Sequence, residues 1–197
     1  MARSRYDYVL SSQQKTVSFV HQEVILTQEE YALRELCENS FYEFTKQAWV
    51  HVAGRKYIDG WHIEALCEHL QALYNLEYRN LLVNAPPRCG KSFVISVLFP
   101  AWVWIQNANL RFLYAAYSQD LSVRDSVHCR RLITNEWYKR LWGHKFKLMG
   151  DVNNKLQFDN DKKGYRIASS ILGTITGKGG DFVVCDDPNL ISQVNSK

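Results

Sequence analysis

The sequence predicts an α/β fold, in which a mostly parallel sheet is flanked by helices. Two short apolar runs, at residues 81–83 and 182–185, end in polar segments, as buried parallel strands commonly do. Between them lie longer stretches whose apolar residues recur at the helical period. The chain has 197 residues, 46% of them hydrophobic and 13% aromatic, which is enough to bury a sizeable core.

The first part of the chain predicts helices. Residues 1–26 are mixed in composition and suggest a loose arm. Thr27 and Glu30 match a capping box, in which an N-cap hydroxyl and a glutamate three residues later satisfy the first backbone N–H groups of a helix. A second helical stretch runs from Phe41 to a break at Gly54.

We assign residues 1–56 to an N-terminal helical extension and residues 57–197 to the main domain. Residues 61–76 carry apolar side chains near the helical period, which predicts a helix that covers the sheet. Trp61, at the start of this helix, is expected to pack in the core.

The rest of the main domain alternates strands and helices. The predicted elements are a strand at 81–83, a helix from Phe93, a strand at 110–117, a helix at 120–134, paired strands at 156–158 and 165–167 joined by a polar turn at 159–164, and a strand at 182–185.

The segment after the first strand has the composition of a phosphate-binding loop. Residues 85–92 read Ala-Pro-Pro-Arg-Cys-Gly-Lys-Ser and match the pattern G-x-x-x-x-G-K-[ST], except that Ala85 stands at the first glycine. A strand, a tight loop and a helix N-terminus direct backbone N–H groups and the helix dipole at an anion. Lys91 is expected to pair with the β- and γ-phosphates of ATP, and the Ser92 hydroxyl to ligate Mg²⁺. The predicted nucleotide-binding residues are Pro86, Pro87, Arg88, Cys89, Gly90, Lys91 and Ser92.

An ordinary strand-to-helix turn that happens to contain Gly-Lys-Ser is the alternative for this segment. The motif also leaves the role of Arg88 open. Its guanidinium could reach the γ-phosphoryl group and stabilise charge in the transition state, or it could pair with a carboxylate and brace the loop.

A second motif lies 95 residues after Lys91, where an apolar strand ends in Asp186 and Asp187. P-loop ATPases use this arrangement to hold Mg²⁺ and to orient the attacking water. Asp186 is expected to bind the metal through its water shell, and Asp187 to act as the catalytic base, although either carboxylate could do both. The alternative is a solvated acidic turn that ends at Pro188. Together the two motifs predict a P-loop NTPase fold of the ASCE type.

Four segments in order resemble the large terminase subunits of tailed double-stranded DNA bacteriophages, and specifically their N-terminal ATPase domain. Residues 86–92 are similar to that family's Pro-Pro-Arg-x-Gly-Lys-Ser loop. The other three segments are residues 99–102, residues 117–121 and the glycine-rich run 173–179 that leads into Asp186, Asp187 and Pro188. The resemblance extends from about residue 57 to residue 188.

The resemblance implies an ATPase that pumps double-stranded DNA into a procapsid, using ATP and Mg²⁺. It implies a portal protein and a small terminase subunit as partners, a homo-oligomeric ring on the portal, and the cytoplasm of an infected or lysogenic bacterial host. In this family the helix at 61–76 borders the adenine pocket, so Trp61 or His62 could contact the base. Complete large terminases carry a nuclease domain that this chain is expected to lack, so no DNA cleavage is expected.

Two other functions stay open at this point. The chain could be a non-hydrolysing nucleotide-binding remnant that serves as an assembly module. It could also be a different P-loop motor, such as a helicase-like translocase.

The charge distribution is uneven along the chain. Residues 111–180 hold 13 Lys and Arg against 6 Asp and Glu, although the whole chain has a net charge of only +4. Phosphate contacts on duplex DNA require basic side chains on one surface, so Arg124, Arg130 and Arg131 are candidate DNA-binding residues. Solvated helix faces are the alternative explanation for these arginines.

Composition argues against several classes of protein. No apolar core of a secretion signal follows Met1, and the apolar window at 93–105 is too short to span a bilayer, so we expect no membrane partner. The five cysteines form no C-x-x-C pair, and their odd number argues against a secreted disulfide framework. All six histidines are expected to be structural or surface residues.

Overall fold

A five-stranded mixed sheet flanked by helices forms the centre of the protein. The computed structural model describes residues 25–171, 173, 177 and 179–188. Residues 1–24 of the loose arm predicted at 1–26 therefore lie outside the described part of the chain. So do residues 172, 174–176 and 178, which are in or beside the glycine-rich run.

The helices, in chain order, are α1 (Gln28–Asn39), α2 (Phe41–Ala53), α3 (Trp61–Tyr74), α4 (residues 91–106), α5 (Gln119–Thr134) and α6 (Glu136–Trp142). Helix α4 consists of three consecutive parts, which are α-helical Lys91–Phe93, a π-helical turn at Val94–Leu98 and α-helical Phe99–Gln106. The strands are β1 (Phe112–Ala116), β2 (Leu148–Asn153), β3 (Gln157–Asn160), β4 (Tyr165–Ser170) and β5 (Phe182–Asp186).

The strands are arranged in the order β2-β3-β4-β1-β5. Strand β1 is parallel to both of its neighbours, so Ala116 aligns with Ser170 of β4 and with Asp186 of β5. Strands β3 and β4 are antiparallel, as are β2 and β3. The expected mostly parallel sheet is therefore only partly correct, because the hairpin and β2 form an antiparallel half.

Several local predictions are confirmed. The Thr27 hydroxyl accepts the Glu30 N–H at 3.2 Å, and the Glu30 carboxylate accepts the Thr27 N–H at 2.8 Å, which completes the capping box. Helix α2 ends at Gly54, whose φ of 64° suits glycine. The predicted hairpin is present as β3 and β4.

The strand predicted at 81–83 is wrong. These residues have no assigned strand structure, and within the described chain they join no sheet. Leu82 is 88% exposed, whereas Leu81 and Val83 are half-buried against the core. A strand requires a neighbour that takes up its backbone hydrogen bonds, and the apolar run alone could not show whether one is present. Conversely, strand β2 and helix α6 were not predicted from the sequence.

Aromatic side chains fill the space between α4 and the sheet. Phe99 and Trp104 of α4 pack edge-on against Phe112 of β1, with ring centroids 6.4 Å apart in both pairs. The N-terminal helices join the same core, because Phe41 packs on Phe99 and the Trp102 indole donates to the Cys37 carbonyl at 2.9 Å. This packing fixes α4, and hence the loop that precedes it, against the sheet.

The prediction that Trp61 packs in the core is wrong, because its side chain is 81% exposed at the start of α3. Trp61 is the first residue of this helix, and the residues that it buries are Ile63, Leu66, Cys67 and Leu70. In the part of the chain that the structure describes, no helix has the length and apolar character needed to cross a membrane.

Candidate nucleotide-binding site

The segment at residues 85–92 forms a loop that ends at Gly90 and the first two residues of α4, and its sharpest constraint is at Gly90. Gly90 has φ of 88°, a left-handed conformation that glycine adopts without steric cost. A Cβ atom there would also lie 3.3 Å from Ile63 Cδ1 and 3.4 Å from Trp49 Cη2. The left-handed backbone therefore favours glycine at this position, and a larger residue would also crowd Ile63 and Trp49.

Helices α2 and α3 support this loop from one side. The Trp49 and Phe93 rings meet edge-on with centroids 4.7 Å apart. His62 Nε2 lies 3.2 Å from the Cys89 carbonyl oxygen, so a ring protonated at Nε2 donates to the loop backbone. His62 therefore connects α3 to the loop, a role that the sequence did not indicate.

The two sequence motifs meet at the carboxyl end of β5. Lys91 Nζ donates to Asp187 Oδ1 at 2.6 Å, across 96 positions of sequence. The Lys91 side chain is only 17% exposed, whereas that of Asp187 is 67% exposed. The hydrogen bond to Asp187 raises the pKa of Lys91 above its ordinary value, and partial burial opposes the rise. Lys91 therefore stays charged at neutral pH.

Asp186 is half-buried at the last position of β5. Burial raises the pKa of its carboxyl above the ordinary value, and the neighbouring Asp187 adds to this rise. The nearby Ser92 side chain acts in the opposite direction, as does the charge of Lys91. The structure therefore brings Lys91, Ser92, Asp186 and Asp187 together at one edge of the sheet.

Arg88 is exposed and has φ of 64°, which is unusual for a residue with a side chain. Asp187, with φ of 44°, shares this left-handed backbone conformation. Such conformations cost on the order of 1–3 kcal/mol and concentrate at functional sites. Among the described residues no carboxylate lies within ion-pair distance of Arg88, so the structure does not support the alternative in which Arg88 pairs with a carboxylate and braces the loop.

The other residues of the loop differ in exposure. Pro86 and Pro87 are exposed, and Cys89 is half-buried.

Ser92 and Asp186 are the residues that could hold Mg²⁺. Over the described ranges there is no cluster of three or more histidine, cysteine or acidic side chains suited to a metal. Mg²⁺ bound beside a nucleotide commonly uses one or two protein ligands and takes the rest from phosphate oxygens and water. One hydroxyl and one carboxylate next to the loop at residues 85–92 therefore fit this metal.

The three candidate DNA-binding arginines lie on α5 in different environments. Arg130 donates to both the backbone oxygen and the side-chain oxygen of Asn153, at 3.1 and 3.0 Å. Arg124 pairs with Asp125 at 2.8 Å but keeps 53% of its side chain exposed. Arg131 is exposed. Arg124 and Arg131 are seven positions apart and so share a helix face, whereas Arg130 is occupied by a structural contact.

A search of protein-family models found no match to this chain, and a search of curated proteins found none either.

Proposed function

We propose that the chain binds Mg-ATP through residues 85–92 and hydrolyses it, as the motor domain of a DNA-packaging terminase large subunit. The observation that best supports this proposal is the 2.6 Å contact between Lys91 and Asp187. Two motifs separated by most of the domain meet there, and they bring a lysine, a hydroxyl and two carboxylates to the N-terminus of α4. A chance Gly-Lys-Ser turn would not predict such a partner.

The P-loop NTPase fold is part of this proposal. Parallel strands β4, β1 and β5 support it, because their carboxyl ends lie at one edge of the sheet, where α/β proteins bind ligands. The N–H groups at the start of α4 would take the phosphates, and Lys91 would pair with them. Mg²⁺ held by Ser92 and Asp186 would neutralise charge on the β- and γ-phosphates.

The ion pair also suggests how Asp187 becomes available as a base. A phosphate group competes with the Asp187 carboxylate for the Lys91 ammonium group, because both are anions that accept from the same donor. Once Lys91 has moved to the phosphates, the exposed Asp187 carboxylate is free to accept a proton from the attacking water. Nucleotide binding and activation of the base would therefore be coupled through Lys91.

Movement of double-stranded DNA is the part that depends most on resemblance. The exposed Arg124 and Arg131 on α5 are suited to phosphate contacts that carry no sequence information. A ring of subunits on a portal protein, assisted by a small terminase subunit, belongs to the same proposal. A helicase-like motor and a nucleotide-binding assembly module are the alternatives.

Two measurements separate the packaging motor from the helicase-like motor and the assembly module. They are a calorimetric titration with Mg-ATP and a hydrolysis assay, each made with and without duplex DNA. The proposal expects Mg-ATP binding and phosphate release that duplex DNA stimulates. Binding without any phosphate release would favour the assembly module, and ATP-dependent strand separation would favour the helicase-like motor. Failure of the folded protein to bind Mg-ATP would exclude the proposed site.

A further inference from the structure

Arg166 is a fully buried cation at the centre of the sheet. It lies in β4, opposite Phe112 of β1 and Phe158 of β3, and has 0% of its surface exposed. Its guanidinium carbon is 4.3 Å from the centre of the Tyr114 ring. Its Nη2 donates to the Ser96 carbonyl at 2.9 Å, while Nε and Nη1 have no acceptor in the described part of the chain. A buried charge is costly unless its surroundings compensate for it.

The Ser96 carbonyl belongs to the π-helical turn of α4, which begins two residues after Ser92. In this turn the Phe99 N–H bonds to the Val94 carbonyl, five residues back. The Tyr114 hydroxyl donates to the adjacent carbonyl, that of Ile95, at 2.9 Å. Side chains from β4 and β1 therefore hold two successive carbonyls of the turn.

The π-helical turn sets the register of the site. One residue corresponds to about 100° of rotation around a helix, so loss of the extra residue in the turn would rotate Ser92 relative to the aromatic anchor at Phe99. π-helical turns are rare and occur frequently at functional sites. Arg166 and Tyr114 are the groups that stabilise this turn from the sheet.

Arg166 also shares a small polar cavity with Asp186. The cavity has a volume of about 10 Å³, room for about one water molecule. Its polar lining comes from Ser96, Tyr114, Ser122, Asp125, Arg166 and Asp186. Asp186 and Asp125, whose carboxylate accepts from Arg124, therefore line the same cavity as a buried guanidinium that has N–H groups to spare.

We propose that Arg166 is a positioning residue for Mg²⁺ at the nucleotide site, a role that rests on the proposed function. It fixes Ser92 through the Ser96 carbonyl and the π-helical turn, and it lines the same small cavity as Asp186. Arg166 touches neither nucleotide nor metal. Its effect is on the placement of the two residues that would hold the metal.

The test measures how strongly Mg²⁺ improves ATP binding, as the ratio of calorimetric affinities with Mg²⁺ and with EDTA. Arg166→Lys keeps the charge but cannot both stack on Tyr114 and reach Ser96 with the same geometry. We expect this ratio to fall by about tenfold or more, the usual effect of losing a partner behind a metal ligand. Arg111→Lys, in the exposed pair with Asp181 at the other end of β1, is the matched control and should keep the parental ratio.

Thermal unfolding of each variant is measured first. If Arg166→Lys does not fold, Tyr114→Phe decides, because it removes only the hydroxyl that holds Ile95. We expect its Mg²⁺ ratio to fall about fivefold, in line with one lost hydrogen bond. A parental ratio in the folded variants overturns the role of Arg166 and leaves the proposed function intact. Absence of ATP binding in the parent protein would overturn both.

Discussion

Lys91 Nζ lies 2.6 Å from Asp187 Oδ1, and this contact ties the loop before α4 to the end of β5. It depends on tertiary structure, since β5 reaches this edge of the sheet only by pairing in parallel with β1. The lysine is largely buried and the aspartate largely exposed. The pair is therefore accessible to a ligand from the aspartate side.

The first prediction concerns Lys91. Lys91→Ala should weaken Mg-ATP binding by about 1.5–3 kcal/mol, the range for hydrogen bonds to charged groups. Isothermal titration calorimetry measures the difference. Lys162→Ala, which removes an exposed lysine beside Asp161, serves as the control and should bind like the parent. Equal affinity in folded Lys91→Ala would remove this lysine from the site.

The second prediction separates the two aspartates. Asp187→Asn should retain ATP but lose hydrolysis, because the amide cannot accept the proton of the attacking water. Asp186→Asn should also lose the part of the affinity that depends on Mg²⁺, because a neutral amide is a weaker ligand for a hard cation. Single-turnover hydrolysis and titrations with and without Mg²⁺ provide the two readouts. Parental hydrolysis by Asp187→Asn would place the base elsewhere.

Sequence patterns predicted the parts of the site that depend on local chemistry. Gly90 has the left-handed backbone that the loop motif requires, and the capping box at Thr27 forms as expected. Both follow from the conformational preferences of a few adjacent residues. The nucleotide-binding role of residues 85–92 stays a prediction. The measurements on the Lys91 variant and on the two aspartate variants test it.

The features that sequence could not supply depend on long-range packing. A basic residue between Tyr165 and Ile167 in an alternating strand is ordinarily a surface residue, yet Arg166 is buried because α4 and Tyr114 enclose it. Similarly, the run at 81–83 has the composition of a strand but has no strand partner within the described residues. Apolar composition specifies burial preference, whereas pairing depends on which elements are adjacent.

The third prediction concerns stability in acid. Arg140 bonds to both carboxylate oxygens of Glu30, and together with the Thr27 backbone it lowers the pKa of Glu30 from 4.5 to about 2. A carboxyl whose pKa is depressed in the folded state stabilises the fold above its ordinary pKa, and this contribution is lost as the pH falls from about 4.5 to about 2.

Glu30→Gln should therefore be less stable than the parent at pH 6, with the difference shrinking steadily below pH 4.5. Urea unfolding at several pH values measures the difference in unfolding free energy between the parent and Glu30→Gln. Glu35→Gln, on the exposed side of the same helix and without an ion pair among the described residues, is the control. If the difference in unfolding free energy between the parent and Glu30→Gln stays constant with pH, the ion pair with Arg140 is not the source of that difference.

The fourth prediction separates the three candidate DNA-binding arginines. Because Arg130 is held by Asn153, Arg130→Ala should lower stability by about 1 kcal/mol and leave DNA binding unchanged. Neutralising Arg124 and Arg131 together should reduce the salt dependence of duplex binding by up to about two units of slope, regardless of sequence. Fluorescence anisotropy at several salt concentrations measures this slope, with Arg79→Ala, at an exposed arginine outside the basic segment, as the control. An unchanged slope in the double variant would assign both arginines to a solvated face.

The last prediction concerns Arg88, whose exposed position and left-handed backbone place it in the loop beside Gly90. A guanidinium that reaches the γ-phosphoryl group acts mainly on the transition state, and lysine cannot reproduce its planar pair of donors. Arg88→Lys should therefore keep ATP affinity within a few-fold and reduce turnover by a factor on the order of 10³.

A brace would behave differently, because loss of a structural ion pair lowers affinity and stability together. Arg111→Lys again provides a matched exchange at an exposed ion pair outside the site. Single-turnover hydrolysis and a binding titration on the same preparation separate the two roles of Arg88. Near-parental turnover by Arg88→Lys would end the proposal that this arginine acts on the transition state. A parallel fall in affinity and unfolding temperature would instead indicate that Arg88 braces the loop.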